Sequence, residues 1–122
     1  MKYLTEGLAP AKVLKIFEQI CAIPHGSGNL DTITDFCEKF ARDRHLEVIR
    51  DEAHNLIIKK PATAGYENAA PIILQGHIDM VCAKTEDCTK DMTRDGLDVR
   101  TDGEWVWADK TSLGGDNGIA VA

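Results

Sequence analysis

Pro71-Ile72-Ile73-Leu74-Gln75-Gly76-His77-Ile78-Asp79 is the stretch whose reading decides the fold. Its first half is a continuous apolar run of strand length, the pattern of a buried central strand covered on both faces. Directly after that run stand a histidine and an aspartate. In open α/β sheets, sites gather outside the carboxyl ends of the strands. His77 and Asp79 therefore stand where a site is expected. A neutral imidazole nitrogen can ligate a metal. Asp79, two residues on, falls on the same side of an extended chain. From there it can fix the imidazole tautomer or act on substrate. A structural histidine–aspartate hydrogen bond has the same spacing, and the spacing alone does not choose between them.

Upstream of that run, Val13, Ile16, Phe17, Ile20 and Cys21 recur at intervals of three and four, an apolar helical stripe that Pro10 can open. The helix should stop before Pro24, because the residue preceding a proline disfavours helical geometry. Pro24-His25-Gly26-Ser27-Gly28-Asn29 is loop chemistry. A second helix begins near Asn29 to Asp31, either of which can cap it. It buries Ile33, Phe36, Cys37 and Phe40 and ends around Arg44 or His45. Leu46 to Ile49 and Asn55 to Ile58 read as short strands joined by a turn over Asp51 to His54. Lys59 to Asn68 is an exposed connection.

Downstream, Lys84 to Arg94 is a polar loop. Leu97 to Arg100 and Glu104 to Ala108 form a hairpin around Gly103, with Trp105 and Trp107 alternating onto one face as packing. Ser112-Leu113-Gly114-Gly115-Asp116-Asn117-Gly118 then leads into Ile119 to Ala122, the first turn of a helix. Two helices followed by alternating strands predict an α/β layered domain. The last element ends after about one turn, which is the expectation for a piece of a larger protein.

The 122 residues are 43% apolar, enough for one compact domain or part of one. With 14 basic and 20 acidic residues the net charge is −6. This argues against a nucleic-acid partner, which needs a basic footprint, and against an anionic membrane surface. No stretch approaches a membrane span, and no secretory signal opens the chain. Cys21 and Cys37 lie on apolar helical faces, where a reduced thiol acts as a small hydrophobe. A reducing cytoplasm is the expected location.

The glycine-rich run Gly114 to Gly118 has two readings. It is a turn in which Asp116 or Asn117 caps the following helix, or it brings backbone close to a ligand. In the second case Asp116 projects a carboxylate toward His77, and its two oxygens can bridge two cations. The remaining histidines read as an exposed loop residue (His25), a helix end (His45) and a turn (His54). Cys82 and Cys88 follow His77 closely, yet their spacing matches no closed structural zinc pattern. No nucleophilic triad can be assembled, and the glycine run lacks the Lys-Ser/Thr of a phosphate loop.

Taken together, Leu74-Gln75-Gly76-His77-Ile78-Asp79-Met80-Val81 and Thr111-Ser112-Leu113-Gly114-Gly115-Asp116-Asn117-Gly118-Ile119-Ala120 resemble the two metal motifs of the aminoacyl-histidine dipeptidases. These enzymes (Xaa-His dipeptidases, or peptidase D) are two-zinc metallopeptidases related to carboxypeptidase G. Phe17 to Gly28 and Asn55 to Ile58 resemble the same family, so the likeness runs in order along nearly the whole chain.

The resemblance implies the amino-terminal portion of a zinc-exopeptidase catalytic domain, an α/β fold with a mixed sheet flanked by helices. All of residues 1–122 would belong to it, with the rest of that domain and the lid domain outside them. It implies a cytoplasmic enzyme that holds two zinc ions, or cobalt or manganese in their place. Short peptides would be its substrates, Xaa-His dipeptides above all, and a homodimer is compatible with it. Carried over residue by residue, His77 ligates one metal, Asp116 bridges both, and Asp79 is the catalytic acid that steadies His77. The Asp116–Asn117 peptide is expected to be cis.

The family's general-base glutamate, its neighbouring ligand glutamate, a further acidic ligand and a second histidine ligand cannot be assigned within these residues. The chain alone is therefore expected to bind zinc poorly and to be inactive. Two other readings stand beside it. One is a non-catalytic remnant that pairs with a partner through an exposed core edge. The other is a small metal-binding protein using Cys82 and Cys88 with His77.

Overall fold

The computed structural model describes residues 2–122. In chain order it contains α1 (Ala11–Cys21), α2 (Asp31–Arg42), β1 (Glu47–Arg50), β2 (Leu56–Lys59), β3 (Val99–Thr101), β4 (Val106–Ala108) and α3 (Gly115–Val121). They form two compact units. One runs to Ile33 and resumes at Gly76–Ala122; the other is Thr34–Gln75.

The first unit carries the candidate site and is built on α1. The stripe read from the sequence buries Phe17, Ile20 and Cys21, which are at most 3% exposed. Phe17 and Cys21 form a core with Val99, against which Leu97, Val106, Leu113 and Ala122 pack. The helix starts after Pro10, whose extended backbone serves as the N-cap. Its end is tied down by the Leu97 amide, which donates to the Cys21 carbonyl at 2.8 Å. The segment before α1 is held by Glu18, whose carboxylate accepts from the Leu4 and Thr5 amides and from the Thr5 hydroxyl. α3 lies on α1 through Gly118, where an added Cβ would stand 3.1 Å from the Phe17 ring. A larger residue there would force the Phe17 ring to give by a few tenths of an ångström.

In the second unit, β1 and β2 pair antiparallel, with Val48 opposite Ile58 and Ile49 opposite Ile57. Asp51 makes the turn between them, accepting from the Ala53 and Asn55 amides and the Asn55 side chain, each at 2.9 Å. Arg50 reaches Asp35 at 2.5 Å and Glu38 at 3.2 Å, joining the strand to the helix.

The α/β class and most element positions agree with the sequence reading, including the hairpin β3–β4 around Gly103. Three details differ. The sheets are two separate antiparallel pairs, and parallel pairing occurs only as an isolated bridge between Gly26 and Met80, so the mixed sheet is not formed among the described residues. Residues 71–79 form no strand, and Ile72, Ile73 and Leu74 are 85–91% exposed. A central strand exists only where neighbours satisfy its amides and carbonyls, and no described strand pairs with this run. Trp105 and Trp107 do alternate, but their shared face is open, at 68% and 43% exposure, rather than packed.

Candidate metal centre

Two loops of the first unit meet at the site: the segment after Gly76 and the glycine-rich entry to α3. They are stitched together by Ser112. Its hydroxyl donates to the Val81 carbonyl at 2.7 Å and accepts from the Ala83 amide at 3.1 Å. Its own amide donates to the Ala83 carbonyl at 2.8 Å. Closer in, the Asn117 side chain donates to the His77 carbonyl at 3.3 Å. A Cβ at Gly76 would fall 2.3 Å from that Asn117 nitrogen, so any larger residue would push the Asn117 side chain off this contact. Gly114 plays the same part on the other side. Its φ of +71° is left-handed, and a Cβ there would lie 2.8 Å from the Met80 sulfur.

This framework brings His77, Asp79 and Asp116 together. The His77 Nδ1 lies 3.0 Å from the Asp79 carbonyl oxygen and 3.1 Å from Asp79 Oδ1. Both are acceptors, so a proton on Nδ1 satisfies that side of the ring, and Nε2 is the nitrogen turned toward Asp116. Nε2 lies 3.0 Å from Asp116 Oδ1. The Asp116–Asn117 peptide is cis, as the resemblance implied. The Asp116 side chain is 94% exposed and His77 half-exposed, so both open to solvent.

The electrostatics follow from these contacts. The hydrogen bond to Asp116 comes first in raising the His77 pKa above the ordinary imidazole value, followed by the Asp79 carbonyl. Asp79 is held below the usual carboxylate value, chiefly by the Ser27 hydroxyl and further by His77.

The two donors are of types that divalent metals accept. An imidazole Nε2 and a carboxylate oxygen are ordinary zinc ligands, and bonds of about 2.0–2.1 Å make the ligand-to-ligand edge of a tetrahedral site roughly 3.3 Å. The 3.0 Å between Nε2 and Oδ1 is close to that edge. The Nδ1 contact to Asp79 is of the kind that orients histidines which bind metals. Among the described residues no three His, Cys, Asp or Glu side chains converge on one point. Cys82 and Cys88 thus do not assemble with His77 into a ligand cluster.

Two features escaped the sequence. His25, read as an exposed loop residue, is 2% exposed. Its Nδ1 lies 2.6 Å from the Ile23 carbonyl, and its own carbonyl accepts the Met80 amide at 3.0 Å. Flanking glycine and serine signal a loop but say nothing of which loop side chain turns inward. Ser27 is the second: its hydroxyl donates to Asp79 Oδ2 at 2.5 Å, across 52 residues of sequence. No local pattern announces a partner at that distance.

Known proteins resemble the chain in sequence and in fold. The chain is 44% identical over 115 residues to the cytosol non-specific dipeptidase of Escherichia coli (strain K12), covering 94% of this chain and 24% of that protein. It superposes with a TM-score of 0.91 and 42% identity on the crystal structure of the aminoacylhistidine dipeptidase from Vibrio alginolyticus, covering 98% of this chain and 24% of that one. The chain thus spans about a quarter of the length of the dipeptidases to which it is homologous. No protein-family model matches it.

Proposed function

We propose that this chain, homologous to dipeptidases over 94% of its length, is the amino-terminal part of the catalytic domain of a metal-dependent dipeptidase. The reading extends to a two-zinc enzyme that hydrolyses short peptides, Xaa-His dipeptides among them. The observation that carries it is the homology, joined to a histidine nitrogen and a carboxylate oxygen facing each other at 3.0 Å. The cytosol in the E. coli relative's name supports a cytoplasmic location.

The contacts support these roles. With its Nδ1 proton on Asp79, His77 would offer Nε2 to a metal that takes the place of the proton shared with Asp116. Asp116, almost wholly exposed, has one oxygen beside Nε2 and a second free to reach another cation. Asp79 keeps the imidazole in the tautomer and orientation that ligation needs. When bound, two zinc ions would bring the pKa of a shared water toward about 7 and polarise the scissile carbonyl. Cobalt or manganese can take the same nitrogen and oxygen ligands.

One histidine and one carboxylate leave a four-coordinate zinc shell half filled. The remaining ligands and the general-base glutamate therefore lie outside these 122 residues. On this reading the chain by itself binds zinc weakly and does not turn over. The test uses the full-length protein loaded with zinc and a Xaa-His dipeptide. Hydrolysis should be abolished by chelation and by His77→Ala. Near-normal turnover by His77→Ala would overturn the assignment.

A further inference from the structure

Asp79 faces His77 with one oxygen, and its other oxygen is also occupied. Oδ1 faces the imidazole, and Oδ2 accepts the Ser27 hydroxyl. A carboxylate rotates about its terminal torsion with little preference, so holding one oxygen decides where the other points. Ser27 is itself held from several sides. The loop that bears it pairs with the site segment through the Gly26–Met80 bridge and the Met80 amide on the His25 carbonyl. His25 is inserted into the fold beneath it. Gly26 passes so close to Cys82 that a Cβ would stand 2.6 Å from its sulfur. The turn closes with the Asn29 amide on the Gly26 carbonyl at 2.8 Å, and the Asn29 side chain donates to the Thr93 carbonyl at 2.9 Å.

We propose that Ser27 is a positioning residue of the metal centre: by fixing Asp79 Oδ2 it aims Oδ1 at His77 and so sets the imidazole for ligation. The chain of contacts runs Ser27 to Asp79 to His77 to Asp116, with distances of 2.5, 3.1 and 3.0 Å. The Ser27 hydroxyl is bonded to Asp79, so its effect on His77 passes through that carboxylate. Part of the lost turnover on removing its hydroxyl should therefore appear as weakened metal binding. The inference rests on the dipeptidase reading for its activity readout, but not for its effect on the imidazole.

The experiment compares Ser27→Ala, Ser27→Thr and Asn29→Ala in the full-length protein. Asn29→Ala releases the same loop at Thr93 without touching Asp79. Three quantities are measured: zinc affinity by chelator competition, kcat and KM on a Xaa-His dipeptide, and the His77 imidazole nitrogen signals of the metal-free protein. Removing a group that orients a metal ligand typically costs 10–100-fold in metal affinity or activity. Ser27→Ala should weaken zinc binding about 10-fold or more, lower kcat similarly with KM within about twofold, and shift the His77 Nδ1 signal. Ser27→Thr keeps the hydroxyl and should restore all three, while Asn29→Ala, which removes one of several holds on the loop and leaves the Ser27 hydroxyl in place, should cost clearly less than Ser27→Ala.

Wild-type zinc affinity and an unmoved His77 signal in Ser27→Ala would overturn the proposal. So would equal losses in Asn29→Ala, which would reduce Ser27 to a loop anchor. A wild-type protein that binds zinc but hydrolyses no dipeptide, with the His77 signal still dependent on Ser27, would overturn the dipeptidase reading and uphold the positioning role.

Discussion

Gly114→Ala is the substitution that most sharply tests how the two site loops are held together. Gly114 sits at the N-cap of α3 with φ of +71° and ψ of 25°. An L-residue in that left-handed region costs about 1–2 kcal/mol. The added Cβ would also lie 2.8 Å from the Met80 sulfur, 3.2 Å from its methyl and 3.3 Å from its Cβ. Unstrained contacts of this kind are about 3.5–4.0 Å, and Met80 is only 3% exposed, with little room to retreat. Overpacking of a filled interior costs about 1–3 kcal/mol. The two effects together predict a loss of about 2–5 kcal/mol. With a urea slope near 2 kcal/mol/M, the midpoint should fall by about 1–2.5 M.

Gly115→Ala is the matched control, because its Cβ would meet nothing within 4 Å and its φ is not positive; its effect should stay within about 0.5 kcal/mol. Combining Gly114→Ala with Met80→Ala should recover part of the loss relative to additivity, the mark of two residues in direct contact. A Gly114→Ala protein within about 0.5 kcal/mol of wild type would refute both the left-handed cap and the close approach to Met80.

Other outcomes follow from the same packing and charges. Phe17, 3% exposed against Gly118 and the core, should cost about 3–5 kcal/mol on replacement by alanine; a loss under about 1 kcal/mol in thermal unfolding would contradict its central place. The Cys21 thiol is pushed up to about 12 by burial and by the Glu18 charge, whereas Cys82 is exposed. Iodoacetamide should label Cys82 and spare Cys21 until the protein unfolds, and comparable labelling rates would count against the buried α1 face. Asp51 has its pKa lowered, first by the Asn55 side chain. Its ionised form therefore stabilises the β1–β2 turn above the unfolded carboxylate pKa, and this is lost as pH falls through the lowered folded value. Amide exchange at Asn55 should be faster in Asp51→Asn at neutral pH, with the gap to wild type closing in acid; a gap independent of pH would refute the charge-based account.

The elements most readable from sequence were those whose pattern is local. The α1 stripe, the Pro24 stop, the β1–β2 turn at Asp51 and the hairpin about Gly103 each depend on neighbours within a few positions, and each is found where expected. Ile72 to Leu74 show the opposite case. Their residues suit a strand covered on both faces, yet they stand exposed, because side-chain type records the cover a segment is adapted to and not whether 122 residues supply it. His77 and Asp79 were legible as a pair because they are two apart, and Asp116 only through an ordered likeness along the chain. Ser27 and the inward turn of His25 were not legible at all. Both depend on the loop before α2 lying beside Met80, a contact between segments more than fifty residues apart.

The central claim is that His77 and Asp116 are ligands of one metal centre. Anomalous diffraction at the zinc edge, on crystals of the full-length protein grown with zinc, tests it directly. The account predicts a peak at bonding distance, about 2.0–2.1 Å, from both His77 Nε2 and an Asp116 carboxylate oxygen, with His77 Nδ1 still on Asp79. Anomalous density at Cys82 or Cys88 with none between His77 and Asp116 would contradict it.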